Sequence, residues 1–206
     1  MSLNIQTLPC GLYQANAYLL NLDGRGDCVL IDPGSDADKL LAAVGQRSLA
    51  AIVLTHGHFD HLLAAQPLAE TTGAGIYIHP EDMEMVNDPA LNGLRDLTSA
   101  RVHDLPLIRT RPLGEALSAA GLDFAVLHTP GHSRGSVCLY LKDEDVLFSG
   151  DTLFEAGYGR LDLHGGSTYD MLASLKALFA LPDDTRVYPG HGGPTTIARE
   201  RARYRL

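Results

Sequence analysis

Short apolar runs separated by turn residues dominate the chain, with amphipathic segments between some of them. Apolar runs bounded by glycine, proline or aspartate are typical of short strands. They predict strands at 5–8, 17–22, 28–32, 51–54, 76–79, 124–128, 137–141, 146–149 and 186–188. Helical spacing of apolar residues predicts helices at 36–45, about 64–72, 80–87, 168–179 and 195–203.

The order of these elements indicates how they stack. Strands without helices come first, strand–helix–strand units follow, and two adjacent strands precede a final helix, strand and helix. Because a sheet must bury its apolar face, this order predicts two packed sheets with helices outside, a layered α/β sandwich. No linker or repeat divides the sequence, so we expect one domain over 1–206. The irregular stretch 88–121 has two interpretations: it covers a site, or it is a long surface excursion.

Charge and composition narrow the classes of function. The 206 residues include 16 basic and 25 acidic ones, and the net charge of −9 is opposite in sign to that of a phosphate-backbone binder. No apolar stretch is long enough to span a bilayer, and the first residues lack a secretory signal pattern. The 3 cysteines suit buried free thiols and a cytoplasmic location. We expect a small-molecule substrate and no nucleic-acid or membrane partner, and the oligomeric state is open.

Residues 55–61 read Thr-His-Gly-His-Phe-Asp-His, directly after an apolar run that predicts a strand. Imidazole and carboxylate groups stay deprotonated near neutral pH, as metal ligands must. In an extended loop, His56 and His58 point to the same side. Asp60 and His61 then turn into the following loop, where they reach a second ion. The run therefore predicts part of a metal site.

Three further ligand-type residues follow strand candidates in glycine-containing loops: His132, Asp151 and His191. Together with the first run they exceed the ligands of one tetrahedral ion and suit two ions bridged by a carboxylate. The alternative is that these histidines only hydrogen-bond backbone in turns, but the glycines beside them favour a crowded metal loop. We expect two divalent ions per chain, with zinc favoured and iron or manganese left open.

Asp32 closes an apolar run and precedes Pro33 and Gly34. An acidic residue there has two interpretations. It starts a turn, or it orients a metal-bound histidine through a hydrogen bond to the ring.

This set of residues resembles the metallo-β-lactamase superfamily. The His-x-His-x-Asp-His motif, followed by a single His, Asp and His, is highly specific for that superfamily. The segments 16–19, 30–34 and 188–192 match it as well. The resemblance implies a four-layer αββα sandwich, the metallo-β-lactamase fold.

Within the superfamily the chain is most similar to the glyoxalase II group, the hydroxyacylglutathione hydrolases, through 129–133, 148–154 and 157–160. The resemblance implies that one metal is held by His56, His58 and His132. It implies that the other is held by Asp60, His61 and His191, with Asp151 bridging. The C-terminal helical glutathione-binding segment of the full-length enzymes is not expected here, so the likeness is to the compact bacterial glyoxalase II-like branch.

The resemblance implies a metal-dependent hydrolase that cleaves a thioester, S-lactoylglutathione or similar, with a metal-bridging hydroxide as nucleophile. Asp151 contributes as a ligand, and Asp60 also assists proton transfer. Arg160 matches the family's basic position after a Gly-x-Gly loop, and its guanidinium suits a substrate carboxylate. The alternative for Arg160 is a surface ion pair with Asp162. Ser133 is interpreted as a turn residue.

Other functions use the same ligands. A mononuclear-iron persulfide dioxygenase needs two histidines and a carboxylate, which His56, His132 and Asp151 would supply. A lactone or β-lactam hydrolase would keep the whole ligand set. A non-enzymatic metal-binding module is disfavoured, because the predicted arrangement leaves a coordination position open.

Overall fold

Two sheets pack face to face in the computed structural model, which describes residues 1–97 and 107–204. The strands of the first sheet, in spatial order, are β1 (Leu3–Cys10), β2 (Ala15–Leu22), β3 (Asp27–Ile31), β4 (Ser48–Val53), β5 (Gly75–Ile78) and β6 (Thr110–Pro112). Those of the second sheet are β7 (Ala116–Ala119), β8 (Leu122–His128), β9 (Val137–Leu141), β10 (Val146–Gly150), β11 (Arg186–Pro189) and β12 (Thr195–Thr196). The described helices are α1 (Ala37–Val44), α2 (Ala65–Thr72), α3 (Leu94–Leu97), α4 (Thr168–Leu178) and α5 (Ile197–Arg201).

The central strands β2 and β3 of the first sheet are buried on both faces. Leu19 and Leu30 pack in one apolar cluster with residues of α1 and α2. Their neighbours Leu20 and Val29 belong to a second cluster that includes the inner face of β8, β9 and β10. Since successive side chains of a strand point to opposite faces, a strand covered on both sides needs apolar residues at every position. This explains the continuous apolar runs of β2 and β3.

The outer face of the second sheet is covered by the C-terminal helices. Leu147 and Val187 lie in a third apolar cluster with Leu175 of α4 and Ile197 of α5. The order of layers is therefore helix, sheet, sheet, helix. The four-layer αββα sandwich predicted for this chain is confirmed.

The strand directions bring several loops to one edge of the sandwich. Strand β9 is antiparallel to β8 and β10, and β10 is parallel to β11, so β8, β10 and β11 end on the same side. Strands β3, β4 and β5 are likewise parallel to one another. The amide of Val137 donates to the carbonyl of Thr55 at 2.9 Å, which joins the two sheets at this edge.

The helix predictions have mixed outcomes. Helix α4 lies where 168–179 was predicted, and the Ser167 hydroxyl caps it by accepting a hydrogen bond from the Asp170 amide. The prediction for 195–203 is too long, because Thr195–Thr196 pairs with β11 as a strand. The α-helix predicted at 80–87 is wrong. Only Pro80–Asp82 forms a single 3₁₀ turn there.

The stretch 88–121 contributes edge strands that were not predicted. Strand β6 pairs with β5, and β7 pairs with β8 as a hairpin. Both are short and depend on tertiary pairing more than on local apolar pattern. His103, a histidine of this stretch for which the sequence predicts no metal-binding role, lies outside the described residues. In the described parts of the chain no helix is long and apolar enough to cross a membrane, and the 3 cysteines are buried and form no disulfide.

Replacing Phe148 with alanine is expected to lower the free energy of unfolding by about 3–5 kcal/mol, because the change leaves a cavity between the sheets. The Phe148 ring is fully buried and lies 5.1 Å from the ring of Tyr18 and 5.5 Å from that of Tyr188. Denaturant unfolding at equal metal content measures the loss. Tyr169→Ala, at a side chain that is 84% exposed, is the control and should change stability by less than about 0.5 kcal/mol. A loss below about 1 kcal/mol for Phe148→Ala would contradict this account of the core.

Candidate metal centre

The ligand-type residues predicted from the sequence meet at the edge where the strand ends converge. The loop after β4 carries His56 and His58, and a 3₁₀ turn at Phe59–His61 carries Asp60 and His61. Three single ligand-type residues follow strands of the second sheet: His132 after β8, Asp151 after β10 and His191 after β11. Both sheets therefore contribute to one site.

The donor atoms form two groups. The three-histidine group consists of His56, His58 and His132, and the mixed group of Asp60, His61 and His191. Within each group the donor atoms all lie within 4.8 Å of one another. The closest nitrogens are His58 Nδ1 and His132 Nε2 at 2.8 Å, and His61 Nε2 and His191 Nε2 at 3.3 Å.

Asp151 lies between the two groups. Its Oδ2 is 3.5 Å from His132 Nε2, and its Oδ1 is 3.5 Å from His61 Nε2. His132 belongs to the three-histidine group and His61 to the mixed group. Each carboxylate oxygen therefore faces a different group, which is the placement that a bridging ligand requires.

Unsatisfied buried atoms test whether these residues fit a metal. His56 Nε2, His58 Nε2 and Asp151 Oδ1 are buried, and none of them has a hydrogen-bond partner within residues 1–97 and 107–204. Buried polar atoms are normally paired, because an unpaired one loses its hydration without compensation. Imidazole nitrogens and carboxylate oxygens suit several divalent cations. The cluster fits divalent metal ions.

The protonation states of the three-histidine group favour metal binding. Burial, followed by the repulsion of neighbouring imidazoles, holds the pKa of His56 and of His58 well below the ordinary histidine value. Both rings are therefore neutral at physiological pH. A neutral imidazole offers a lone pair to a metal, whereas a protonated one does not.

The mixed group has a different charge balance. Burial opposes the charged form of His61, but the carboxylates of Asp60, Asp151 and Asp32 outweigh it and raise the pKa of that ring. Burial also opposes ionisation of Asp60, yet His61 and His191 hold the pKa of that carboxyl below its ordinary value. A metal ion that binds here must displace the proton on His61.

Contacts behind the ligand-type residues fix the orientation of their rings. Asp32 Oδ2 is 3.1 Å from His61 Nδ1, and the backbone amide and hydroxyl of Thr55 donate to the same carboxylate at 2.7 and 2.6 Å. Thr55 Oγ1 also lies 3.0 Å from His56 Nδ1. The carbonyl oxygen of Arg160 is 2.8 Å from His132 Nδ1. Asp32 thus makes the contacts expected of an orienting residue, because holding one ring nitrogen directs the other toward the site.

Close backbone approach explains one of the glycines beside the ligand-type residues. A Cβ atom on Gly190 would overlap Asp151 Oδ1 and would lie 2.8 Å from His61 Cε1. Any side chain at Gly190 would therefore displace Asp151 or His61. The crowding predicted from the glycine-rich loops is present at this position.

Asp82 is a buried carboxylate at the site that the sequence did not reveal. It accepts hydrogen bonds from the Gly57 amide at 2.9 Å, the Ser133 hydroxyl at 2.6 Å and the Gly135 amide at 2.6 Å. These donors lie in the loop of His56 and His58 and in the loop of His132. One carboxylate therefore ties together both loops of the three-histidine group, and Ser133 does more than form a turn.

A cleft of about 270 Å³ opens beside the donor atoms. Besides ligand-type residues it is lined by Tyr13, Phe59, Asn92, Phe154, Arg160 and Leu163. Arg160 was predicted either to contact a substrate carboxylate or to form a surface ion pair with Asp162, and its position is compatible with both. It lines the cleft, and its guanidinium forms a bidentate ion pair with Asp162 through contacts of 2.7 Å.

Asp82→Asn is expected to weaken metal binding by the three-histidine group by about tenfold to a hundredfold. The amide nitrogen of asparagine would face a donor in place of an accepting oxygen, so one loop would lose its anchor. Competition with a chelator measures the affinity separately for each of the two bound ions. Glu81→Gln removes the neighbouring exposed carboxylate and serves as the matched control. An unchanged affinity in Asp82→Asn would show that Asp82 does not position the loops.

Comparison with known proteins agrees with this geometry. The metallo-beta-lactamase superfamily model matches residues 10–191. Hydroxyacylglutathione hydrolase GloC of Haemophilus influenzae is 32% identical over 207 residues, covering 97% of this chain and 95% of that protein. The solved structure of BLEG-1 B3 metallo-beta-lactamase is 39% identical, covers 97% of each chain and has a TM-score of 0.89.

A second solved structure, TTHA1623 in a di-iron-bound form, is 41% identical, covers 95% of this chain and 96% of that one, and has a TM-score of 0.84. The resemblance inferred from the His-x-His-x-Asp-His motif is confirmed by the family model and by these relatives. The fold inferred from it is confirmed by the solved structures. The chain belongs to the metallo-β-lactamase superfamily.

Proposed function

We propose that this protein is a metal-dependent hydrolase that cleaves a thioester, with S-lactoylglutathione or a related 2-hydroxyacyl thioester as its substrate. The observation that carries the proposal is the position of Asp151 between the two donor groups, beside an open cleft. A site for two ions with room for substrate suits hydrolysis of an acyl bond. The likeness to a hydroxyacylglutathione hydrolase supports a thioester as that bond.

The proposed cofactors are two divalent ions per chain. The three-histidine group would hold one, the mixed group the other, and Asp151 would bridge them. Zinc is the proposed metal, with iron and manganese as alternatives, since a similar protein was solved in a di-iron-bound form. When bound, the ions supply Lewis acidity, which polarises a carbonyl and brings the pKa of a water near neutrality.

The chain's own residues would orient the reactants and move a proton. The depressed pKa of Asp60 keeps its carboxylate ionised, as a metal ligand must be. Asp60 lines the cleft, where it would orient a water molecule by accepting a hydrogen bond, and we propose that it assists proton transfer only as a role secondary to ligation. Phe59 and Phe154 form apolar walls of the cleft. They would exclude bulk water from the acyl group, which strengthens electrostatic interactions inside the site.

Two other reactions remain alternatives within the same site. A β-lactam or lactone hydrolase is supported by the likeness to a B3 metallo-beta-lactamase. A persulfide dioxygenase would use one iron held by His56, His132 and Asp151. Assays with a thioester, a β-lactam, a lactone and a persulfide separate these reactions, and oxygen uptake identifies the last one.

Asp151→Ala is expected to lower metal content and thioester hydrolysis together, with kcat/KM falling by more than about a hundredfold. The reason is that a lost ligand costs more than the loss of an outer contact. Elemental analysis and hydrolysis of S-lactoylglutathione measure the two quantities. Asp143→Ala removes an exposed carboxylate elsewhere on the surface and should leave both unchanged. Full activity with two metals retained in Asp151→Ala would refute the bridging assignment.

A further inference from the structure

Outside the ligand-type residues, two polar groups of the cleft wall, Arg160 and Asn92, already pair within the protein. Among the described residues that line the cleft, Arg160 is the one arginine or lysine. Its Nε and Nη2 each lie 2.7 Å from a different oxygen of Asp162, so that the two side chains meet edge to edge. The Asn92 side chain accepts from the Leu94 amide at 3.0 Å and lies 3.4 Å from the Val86 carbonyl.

The ion pair with Asp162 occupies the guanidinium edge that would otherwise bind a substrate carboxylate. A guanidinium binds a carboxylate best through two parallel hydrogen bonds. Asp162 occupies that edge of Arg160, and the hydrogen bonds from Arg160 lower the pKa of Asp162 to about 2. The pair is therefore neutral as a whole across the physiological range.

Outside the ligand-type residues, the rest of the wall is apolar apart from the phenol group of Tyr13, and such a wall suits an uncharged molecule. Phe59 is buried, with 4% of its surface exposed. The Phe154 ring packs edge-on against the His191 ring, with 6.1 Å between the ring centroids. Leu163 completes an apolar lining beside the donor atoms. Apolar walls stabilise a bound group by removing its apolar surface from water, and they penalise a carboxylate that loses its hydration without a partner.

We propose that the cleft selects thioesters of uncharged thiols over thioesters of glutathione, and that Asp162 sets this selectivity by holding Arg160. The inference rests on the proposed thioester hydrolysis and narrows its substrate class. Glutathione is a net anion at neutral pH. A thiol that contains amides but no carboxylates brings no charged group into the cleft, so no charge is left without a partner there. Asp162 acts through Arg160, and it is a specificity-determining residue and not a catalytic one.

The test compares two thioesters that share the lactoyl group, S-lactoylglutathione and the uncharged S-lactoyl-N-acetylcysteamine, with the metal-loaded protein. The unmodified chain is expected to show a kcat/KM about tenfold or more higher for the uncharged thioester. Asp162→Asn releases the guanidinium without changing the size of the side chain. It should shift the ratio of the two values about threefold to fivefold toward glutathione, within the range that an exposed ion pair allows. The shift should appear in KM and shrink at high salt.

The chain offers a matched control. Arg25 and Asp27 form the same bidentate pair at the same spacing, with contacts of 2.8 and 2.7 Å. The pair lies at the start of β3, and neither residue lines the cleft. Asp27→Asn therefore makes the same change in net charge and frees an arginine elsewhere. The ratio of the two kcat/KM values should stay unchanged in this variant, so that a shift in Asp162→Asn reports the cleft and not the overall charge.

The outcomes separate the two proposals. If the unmodified chain prefers S-lactoylglutathione, or if Asp162→Asn leaves the ratio where Asp27→Asn leaves it, the selectivity inference is wrong while thioester hydrolysis stands. If neither thioester is hydrolysed, the proposed function fails and the selectivity inference fails with it.

Discussion

The structure depends on holding together buried ligand-type groups whose hydrogen bonding is incomplete. His56 Nε2 and His58 Nε2 are buried without a hydrogen-bond partner among the described residues, although His58 Nδ1 lies 2.8 Å from His132 Nε2. Such a cluster is unfavourable by itself, because each imidazole loses hydration and disfavours a proton on its neighbour. It persists because the surrounding fold holds it, and a divalent cation would convert the same arrangement into a favourable one.

The sandwich supplies that support from both of its sheets. The hydrogen bond between Val137 and Thr55 joins the sheets at the site edge, and Asp82 joins the loops that leave them. The three-histidine group is divided between the sheets, because His56 and His58 follow a strand of the first sheet and His132 follows a strand of the second. Relative sliding of the sheets would therefore separate His132 from His56 and His58. The geometry of the site therefore depends directly on how the two sheets pack against each other.

The sequence predicted the layers and the ligand-type residues because both leave local signals. Continuous apolar runs identify strands that are buried on two faces, and the run at 55–61 places several ligand types within one loop. Asp82 left no such signal, since an acidic residue after Pro80 reads equally well as the first turn of a helix. Strand β6 depends on pairing with β5, and the choice of Asp162 as partner for Arg160 depends on side-chain orientation. These features depend on tertiary contacts, which the local pattern of apolar and polar residues does not reveal.

The buried cysteines have a practical consequence for chemistry that releases a thiol. Cys10, Cys28 and Cys138 are enclosed, and burial raises the pKa of each thiol. Their thiolate forms are scarce at neutral pH, so these side chains exchange poorly with disulfides and react slowly with electrophiles. A thiol-reactive dye added to the folded protein would accordingly report the liberated product with little background. The same inertness protects the interior from mixed disulfides in an environment rich in small thiols.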